Sequence, residues 1–125
     1  MPRAVLDTDI FSYVIKGDSR AAEYEKYLDQ PCLSFITVAE LYRWTLVKNW
    51  GASKKQSLET SIQECEILSY DNETAWHWAH VMSIPGKTLS GADGWIAACA
   101  IRHDLPLITH NRKHFTGIPN LTLLG

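Results

Sequence analysis

The chain has 125 residues, 46% of them hydrophobic, so we expect a single domain, residues 1–125, with one substantial core. A net charge of −2 argues against bulk, sequence-independent binding to nucleic acid. The three cysteines lie far apart in apolar segments, which favours reduced thiols and a cytoplasmic protein, and no apolar run approaches the ~20 residues that span a membrane.

The predicted elements alternate between strand and helix along the chain. The first apolar run is predicted to be a buried strand that ends at Asp7 and Asp9, and a helix begins near Ile10. Further strands are predicted at residues 32–36, 66–70, 106–109 and 121–124, and further helices at 20–28, 37–44, from about 53 to 64, 72–82 and 92–101. Because parallel strands need crossovers that can hold a helix, this order predicts an α/β fold. We expect a mostly parallel sheet of four to five strands, covered on both faces.

Carboxylates follow the predicted strands at the edge where open α/β sheets bind ligands. Asp7 and Glu40 should share that edge with the cluster from Thr109 to His114, and Asp93 joins them if its helix begins there. Gathered acids repel one another and need a cation, and oxygen ligands without cysteine favour Mg²⁺ or Mn²⁺ over zinc. Metal-assisted phosphodiester hydrolysis follows most naturally.

Each acid also has a purely structural interpretation. Asp7 or Asp9 can act as a helix N-cap. Glu40 completes a capping box that starts at Thr37, and Asp93 has the same spacing from Ser90. The cationic segment after the fourth strand is a solvated loop or a lip that holds phosphates, and its candidate substrate-binding residues are Arg112, Lys113 and His114.

Four segments of the chain resemble the PIN domain family, and within it the VapC-type toxins of prokaryotic toxin–antitoxin pairs. They are residues 5–9, 34–41, 92–98, and 107–111 together with Phe115, in family order. The resemblance implies a PIN-like α/β/α sandwich with an acidic, Mg²⁺-dependent ribonuclease site. Asp7, Glu40 and Asp93 match the family's catalytic and metal-binding acids.

The chain departs from the family pattern after the fourth strand. The family often has a further acid there, whereas this chain has Asn111 and His114. Asp9 stands where the family frequently has a neutral polar residue and is available to compensate, with Thr109 and Asn111 as auxiliary residues. The resemblance also implies a cognate antitoxin whose tail occupies the acidic groove, and we expect a homodimer.

Two other classes of function compete with a nuclease. A phosphatase of the haloacid dehalogenase type also presents a strand that ends in Asp-Thr-Asp, with the first acid as nucleophile. In that motif Phe11 stands where Thr or Val is expected. A non-catalytic binding or regulatory module would use the acids only as helix caps.

Overall fold

Five short parallel strands form one sheet in the computed structural model of the chain, which describes residues 3–124. The strand order is β3-β2-β1-β4-β5, so β1 lies at the centre. Val5 of β1 pairs with Cys32 on one side and Leu107 on the other. The strands are β1 (Arg3–Leu6), β2 (Gln30–Ser34), β3 (Glu66–Leu68), β4 (Leu107–Ile108) and β5 (Leu123–Leu124).

Helices connect the strands and confirm the predicted alternation. They are α1 (Thr8–Lys16), a 3-10 helix (Ser19–Tyr27), α2 (Phe35–Val47), α3 (Ala52–Gln63), α4 (Asn72–Met82), α5 (Gly91–Arg102) and α6 (Arg112–Phe115). The segment predicted as a helix over 20–28 is therefore a 3-10 helix. Only Tyr24 is buried in this segment, so little tertiary packing is available to stabilise a regular α-helix.

Side chains that alternate along β1 enter two different cores. Ala4 and Leu6 pack on one face of the sheet with residues of α1, α2 and α3, whereas Val5 packs on the other face with residues of α4, α5 and α6. Helices therefore cover both faces, as a strand buried on both sides requires. The predicted α/β/α sandwich is confirmed, and its sheet is wholly parallel.

The described residues contain three free cysteines and only short helices. Cys32 and Cys99 are buried and Cys65 is half-buried, and all three are free thiols. Burial raises the pKa of each of them, so these thiols are held in the unreactive protonated form. Among residues 3–124, no helix has the length and apolar character needed to cross a bilayer.

Candidate active site

Asp7 lies where β1 passes into α1, at the centre of the sheet's C-terminal edge. Its side chain is 5% exposed. One carboxylate oxygen accepts from the Thr8 backbone N–H at 2.7 Å, so Asp7 is the N-cap of α1, which begins earlier than the sequence predicted. The other oxygen accepts from the Thr109 hydroxyl at 2.7 Å. Burial, aided by the charges of Asp93 and Asp9, raises the pKa of Asp7 to about 6, although the hydrogen bonds from Thr109 and Thr8 lower it.

Glu40 reaches the same edge from the second turn of α2. Its Oε1 accepts from the Thr8 hydroxyl at 2.9 Å, and that hydroxyl lies 3.0 Å from the hydroxyl of Thr37. Burial raises the pKa of Glu40, and the charges of Asp93 and Asp9 raise it too. Glu40 is therefore fixed across the sheet edge by a residue of α1.

Asp9 and Asp93 complete a group of four acids from three segments. Asp9 lies in the first turn of α1, and its Oδ2 accepts from the Asn111 side-chain amide at 3.0 Å. Asp93 lies in the first turn of α5, with Oδ2 3.4 Å from Nδ1 of His114. The helix of Asp93 thus begins at the acidic edge, as the site prediction required.

The helix caps separate the structural interpretation of these acids from the functional one. The capping box predicted from Thr37 to Glu40 is wrong, because α2 starts earlier and Ser34 is its N-cap, accepting from the backbone N–H groups of Ile36 and Thr37. Ser90 does cap α5 by accepting from the Asp93 backbone N–H, while the carboxylate of Asp93 points to His114. Helix capping thus accounts for one of the two hydrogen bonds of the Asp7 carboxylate. It does not account for the position of the Glu40 carboxylate.

The donor chemistry of this edge fits a hard divalent cation. The four carboxylates offer oxygen ligands, and Asp7 and Glu40 are held in an environment that disfavours their charged forms, a cost that a bound cation offsets. Within residues 3–124, no three side chains among His, Cys, Asp and Glu stand close enough together to enclose a metal ion in this conformation. Neutral donors from Thr8, Thr109 and Asn111 bond to Glu40, Asp7 and Asp9 respectively and leave their charge in place.

The basic residues after β4 point in different directions. The Arg112 guanidinium donates to the Leu124 carbonyl, and the ring of His110 contacts the Tyr24 hydroxyl. His114 contacts Asp93, and together with Lys113 it lines a cleft beside the acids. Of the predicted cationic lip, Lys113 and His114 adjoin the site.

Sequence reasoning missed Thr8 as a site residue. It lies between Asp7 and Asp9, and the prediction selected these two charged residues and not the neutral hydroxyl between them. The signal that was available is its position at a strand end, where a hydroxyl can bond to a neighbouring carboxylate. Its partners, Thr37 and Glu40, lie about 30 residues away and emerge only from the fold.

Comparison with known proteins agrees with the geometry. A family model described as the PIN domain matches residues 4–120. Ribonuclease VapC1 of Haemophilus influenzae is 34% identical over 131 residues, which covers 94% of this chain and 92% of that protein. The VapBC2 structure from Rickettsia felis, bound to a DNA fragment from its promoter, superposes with a TM-score of 0.83 at 25% identity, covering 98% of this chain and 97% of the other. A toxin–antitoxin complex from Klebsiella pneumoniae gives 0.79 at 26% identity, covering 95% of each chain.

Proposed function

Because the chain belongs to the PIN domain family, we propose that it is a divalent-metal-dependent endoribonuclease and the toxin of a type II toxin–antitoxin pair. The observation that carries the proposal is the convergence of Asp7, Asp9, Glu40 and Asp93 at one sheet edge, where each acid is held by a neutral donor or a histidine. Ordinary capping leaves Glu40 and Asp93 unexplained, whereas a site for a cation and a phosphodiester accounts for both.

In this proposal Asp7, Glu40 and Asp93 hold Mg²⁺ or Mn²⁺, and Asp9 supplies the fourth carboxylate. When bound, such an ion lowers the pKa of a coordinated water and offsets the charge of the phosphate. The chain's own residues fix the geometry: Thr109 and the Thr8 N–H orient Asp7, the Thr8 hydroxyl orients Glu40, and Asn111 orients Asp9. Catalysis of this kind depends on such preorganised positioning.

The toxin role rests on the relatives and on the charge of the edge. The solved complex from Klebsiella pneumoniae is a toxin with its antitoxin, and the two folds superpose over nearly their full length. Four acids at one edge make a surface that attracts a basic peptide segment. The antitoxin tail and the metal ion would therefore compete for the same carboxylates. We expect the protein to act as a homodimer.

The decisive experiment is RNA cleavage by the purified protein. Cleavage should require Mg²⁺ or Mn²⁺, should stop in EDTA and should be lost in Asp93→Asn. A phosphatase of the haloacid dehalogenase type would instead leave a phosphoenzyme on Asp7, and a binding module would cleave nothing. For the toxin role, expression of the chain alone should arrest growth, and co-expression of its antitoxin should relieve the arrest. A folded, abundant and harmless protein would contradict that role.

A further inference from the structure

A small cleft lies directly beside the acidic edge, on the far side of His114. Its walls come from the turn between α4 and α5 and from α6, and its volume is about 330 Å³. Because His114 both lines this cleft and contacts Asp93 at 3.4 Å, the cleft and the acidic edge are adjoining parts of one surface. Its lining residues are Ile84, Pro85, Gly86, Lys87, Thr88, Lys113 and His114.

The cleft carries positive charge next to an acidic site. Lys87 and Lys113 line it, and none of the described residues that form its walls is acidic. The Lys87 ammonium donates to the Thr116 carbonyl at 2.7 Å, which anchors the end of the side chain. A lysine ammonium has three N–H donors, so two remain for a ligand. Thr88, a polar residue, also lines the cleft.

We propose that the cleft bounded by Lys87 and Lys113 binds a backbone phosphate of the RNA strand, next to the phosphodiester that lies at the acids. This inference rests on the proposed function, and it names the path of the substrate. An acidic edge repels a polyanion wherever no metal offsets it, so an adjoining cationic cleft is needed to retain the strand. Phosphate contacts of this kind position the backbone and carry no sequence information.

The size of the cleft indicates how much of an RNA strand it accepts. A volume of about 330 Å³ lies at the lower end for ligand sites, which suits one phosphate with its sugar. The carbon atoms of Ile84 and Pro85 form an apolar wall against which a ribose or an unpaired base can pack. We therefore expect the cleft to bind one nucleotide of the strand on the Lys87 side of the cleavage position.

The test removes the two charges and keeps polar side chains. In the double variant Lys87→Gln/Lys113→Gln, each glutamine is one atom shorter than lysine and offers a neutral amide in place of the ammonium. The matched control, Lys54→Gln/Lys55→Gln, removes the same charge from α3, where Lys54 lies over the ring of Trp50. Steady-state cleavage of a short single-stranded RNA is measured in Mg²⁺ at several salt concentrations, alongside the thermal unfolding of each protein.

The cleft variant should raise KM about tenfold while kcat changes much less, because a uniform contact to the strand is lost. The dependence of log(kcat/KM) on log[salt] should flatten by about 0.7, because the two lysines together neutralise one phosphate of a single strand. The control should have the KM and salt dependence of wild type. Lys87→Arg/Lys113→Arg keeps both charges, so its KM should also stay close to that of wild type. Equal KM and salt dependence in the cleft variant and the control would overturn the cleft assignment.

A failure of the proposed function gives a different result. If wild type cleaves no RNA in Mg²⁺, the nuclease proposal fails, and the cleft is then tested by the fluorescence anisotropy of a labelled single-stranded RNA in EDTA. Weaker binding by the cleft variant than by the control supports the cleft as a phosphate site even then. Equal binding by the two overturns it.

Discussion

The hydroxyl of Thr8 donates a hydrogen bond to Oε1 of Glu40 across 2.9 Å, which joins the first turn of α1 to the second turn of α2. The same hydroxyl contacts Thr37 at 3.0 Å, so a three-residue network of buried and half-buried groups fixes the glutamate at the sheet edge. Thr8 is thus a positioning residue whose effect passes through Glu40.

We expect Thr8→Val to destabilise the protein and Thr8→Ser to leave it nearly unchanged. Valine has almost the same shape but no hydroxyl, and losing a hydrogen bond to a charged group costs about 1.5–3 kcal/mol. The free energy of unfolding, measured by urea titration in EDTA near neutral pH, checks this. RNA cleavage should also fall in Thr8→Val and recover in Thr8→Ser. Equal stability and equal cleavage in the two variants would show that the hydroxyl has no role.

The acids should differ in their importance for cleavage. Asp7→Asn and Asp93→Asn should remove nearly all activity, and Glu40→Gln should fall close to them, because each loses a carboxylate at the cation site. Asn111→Ala should cost less, since its amide orients Asp9 and an amide ligates Mg²⁺ more weakly than a carboxylate does. Cleavage rates are compared at matched circular dichroism, with exposed Glu59→Gln on α3 as the control. Near-normal rates in all four variants would leave the acidic edge without a role in cleavage.

The start of α2 marks the limit of what the sequence predicts about this site. Ser34 and Thr37 are both good N-caps, and residues 32–36 suit a strand, so local preference does not decide between them. The strand ends at Ser34 because its hydroxyl caps the helix, and the hydroxyl of Thr37 instead contacts the hydroxyl of Thr8 at the start of α1. Once the helix starts earlier, the carboxylate of Glu40 is released from the expected capping box.

The positions of Asp7 and Asp93, in contrast, could be predicted from the order of strands and helices. Asp7 follows the central buried strand, and parallel strands deliver their carboxyl ends to one edge, so its place was fixed by strand order. Asp93 required a helix that begins at that edge, which the sequence permitted. Its partner His114 lies on the short helix α6 and Lys87 lies in the turn between α4 and α5, and contacts between such separate segments leave no periodic signal in a sequence.

An ion pair remote from the acids should make stability depend on pH. Asp71 caps α4 and forms a salt bridge with Arg102 at 2.7 Å, and the side-chain hydrogen bond from Arg102 holds the pKa of Asp71 well below its usual range. An acid whose folded pKa is lowered adds stability that is fully present above the unfolded pKa, about 3.9, and is lost as pH falls through the folded value.

The test of this dependence is Asp71→Asn, because asparagine is also a preferred N-cap and keeps the start of α4. Wild type should melt above the variant at neutral pH, and the two melting temperatures should converge as pH falls below about 4. The control is Glu73→Gln, whose carboxylate lies 3.5 Å from the same arginine and is 69% exposed, so its effect should be small. A constant gap between Asp71→Asn and wild type across the acid range would contradict the lowered pKa.

The last prediction separates a capping role from a metal-binding role at Asp93. The cap of α5 is the Ser90 hydroxyl, which accepts from the backbone N–H of Asp93, so Asp93→Ala keeps that hydrogen bond. The charge of Asp93 raises the pKa of both Asp7 and Glu40, so its removal relieves repulsion in the metal-free protein. In EDTA, Asp93→Ala should therefore melt at or above wild type. In Mn²⁺ the order should reverse, because wild type gains RT ln(1 + [metal]/Kd), about 2.7 kcal/mol at a hundredfold excess over Kd, and the variant gains much less.

Ser90→Ala is the matched control for this prediction, because it removes the cap and leaves the carboxylate. Its cost should be about 0.5–2 kcal/mol in EDTA and the same in Mn²⁺, since no metal ligand is lost. The two substitutions therefore differ in sign in EDTA and in their response to metal, although they lie three residues apart. Thermal unfolding of both variants and wild type under the two conditions gives the comparison. If Asp93→Ala behaved like Ser90→Ala, destabilised equally with and without Mn²⁺, Asp93 would be a structural residue of the α5 N-terminus.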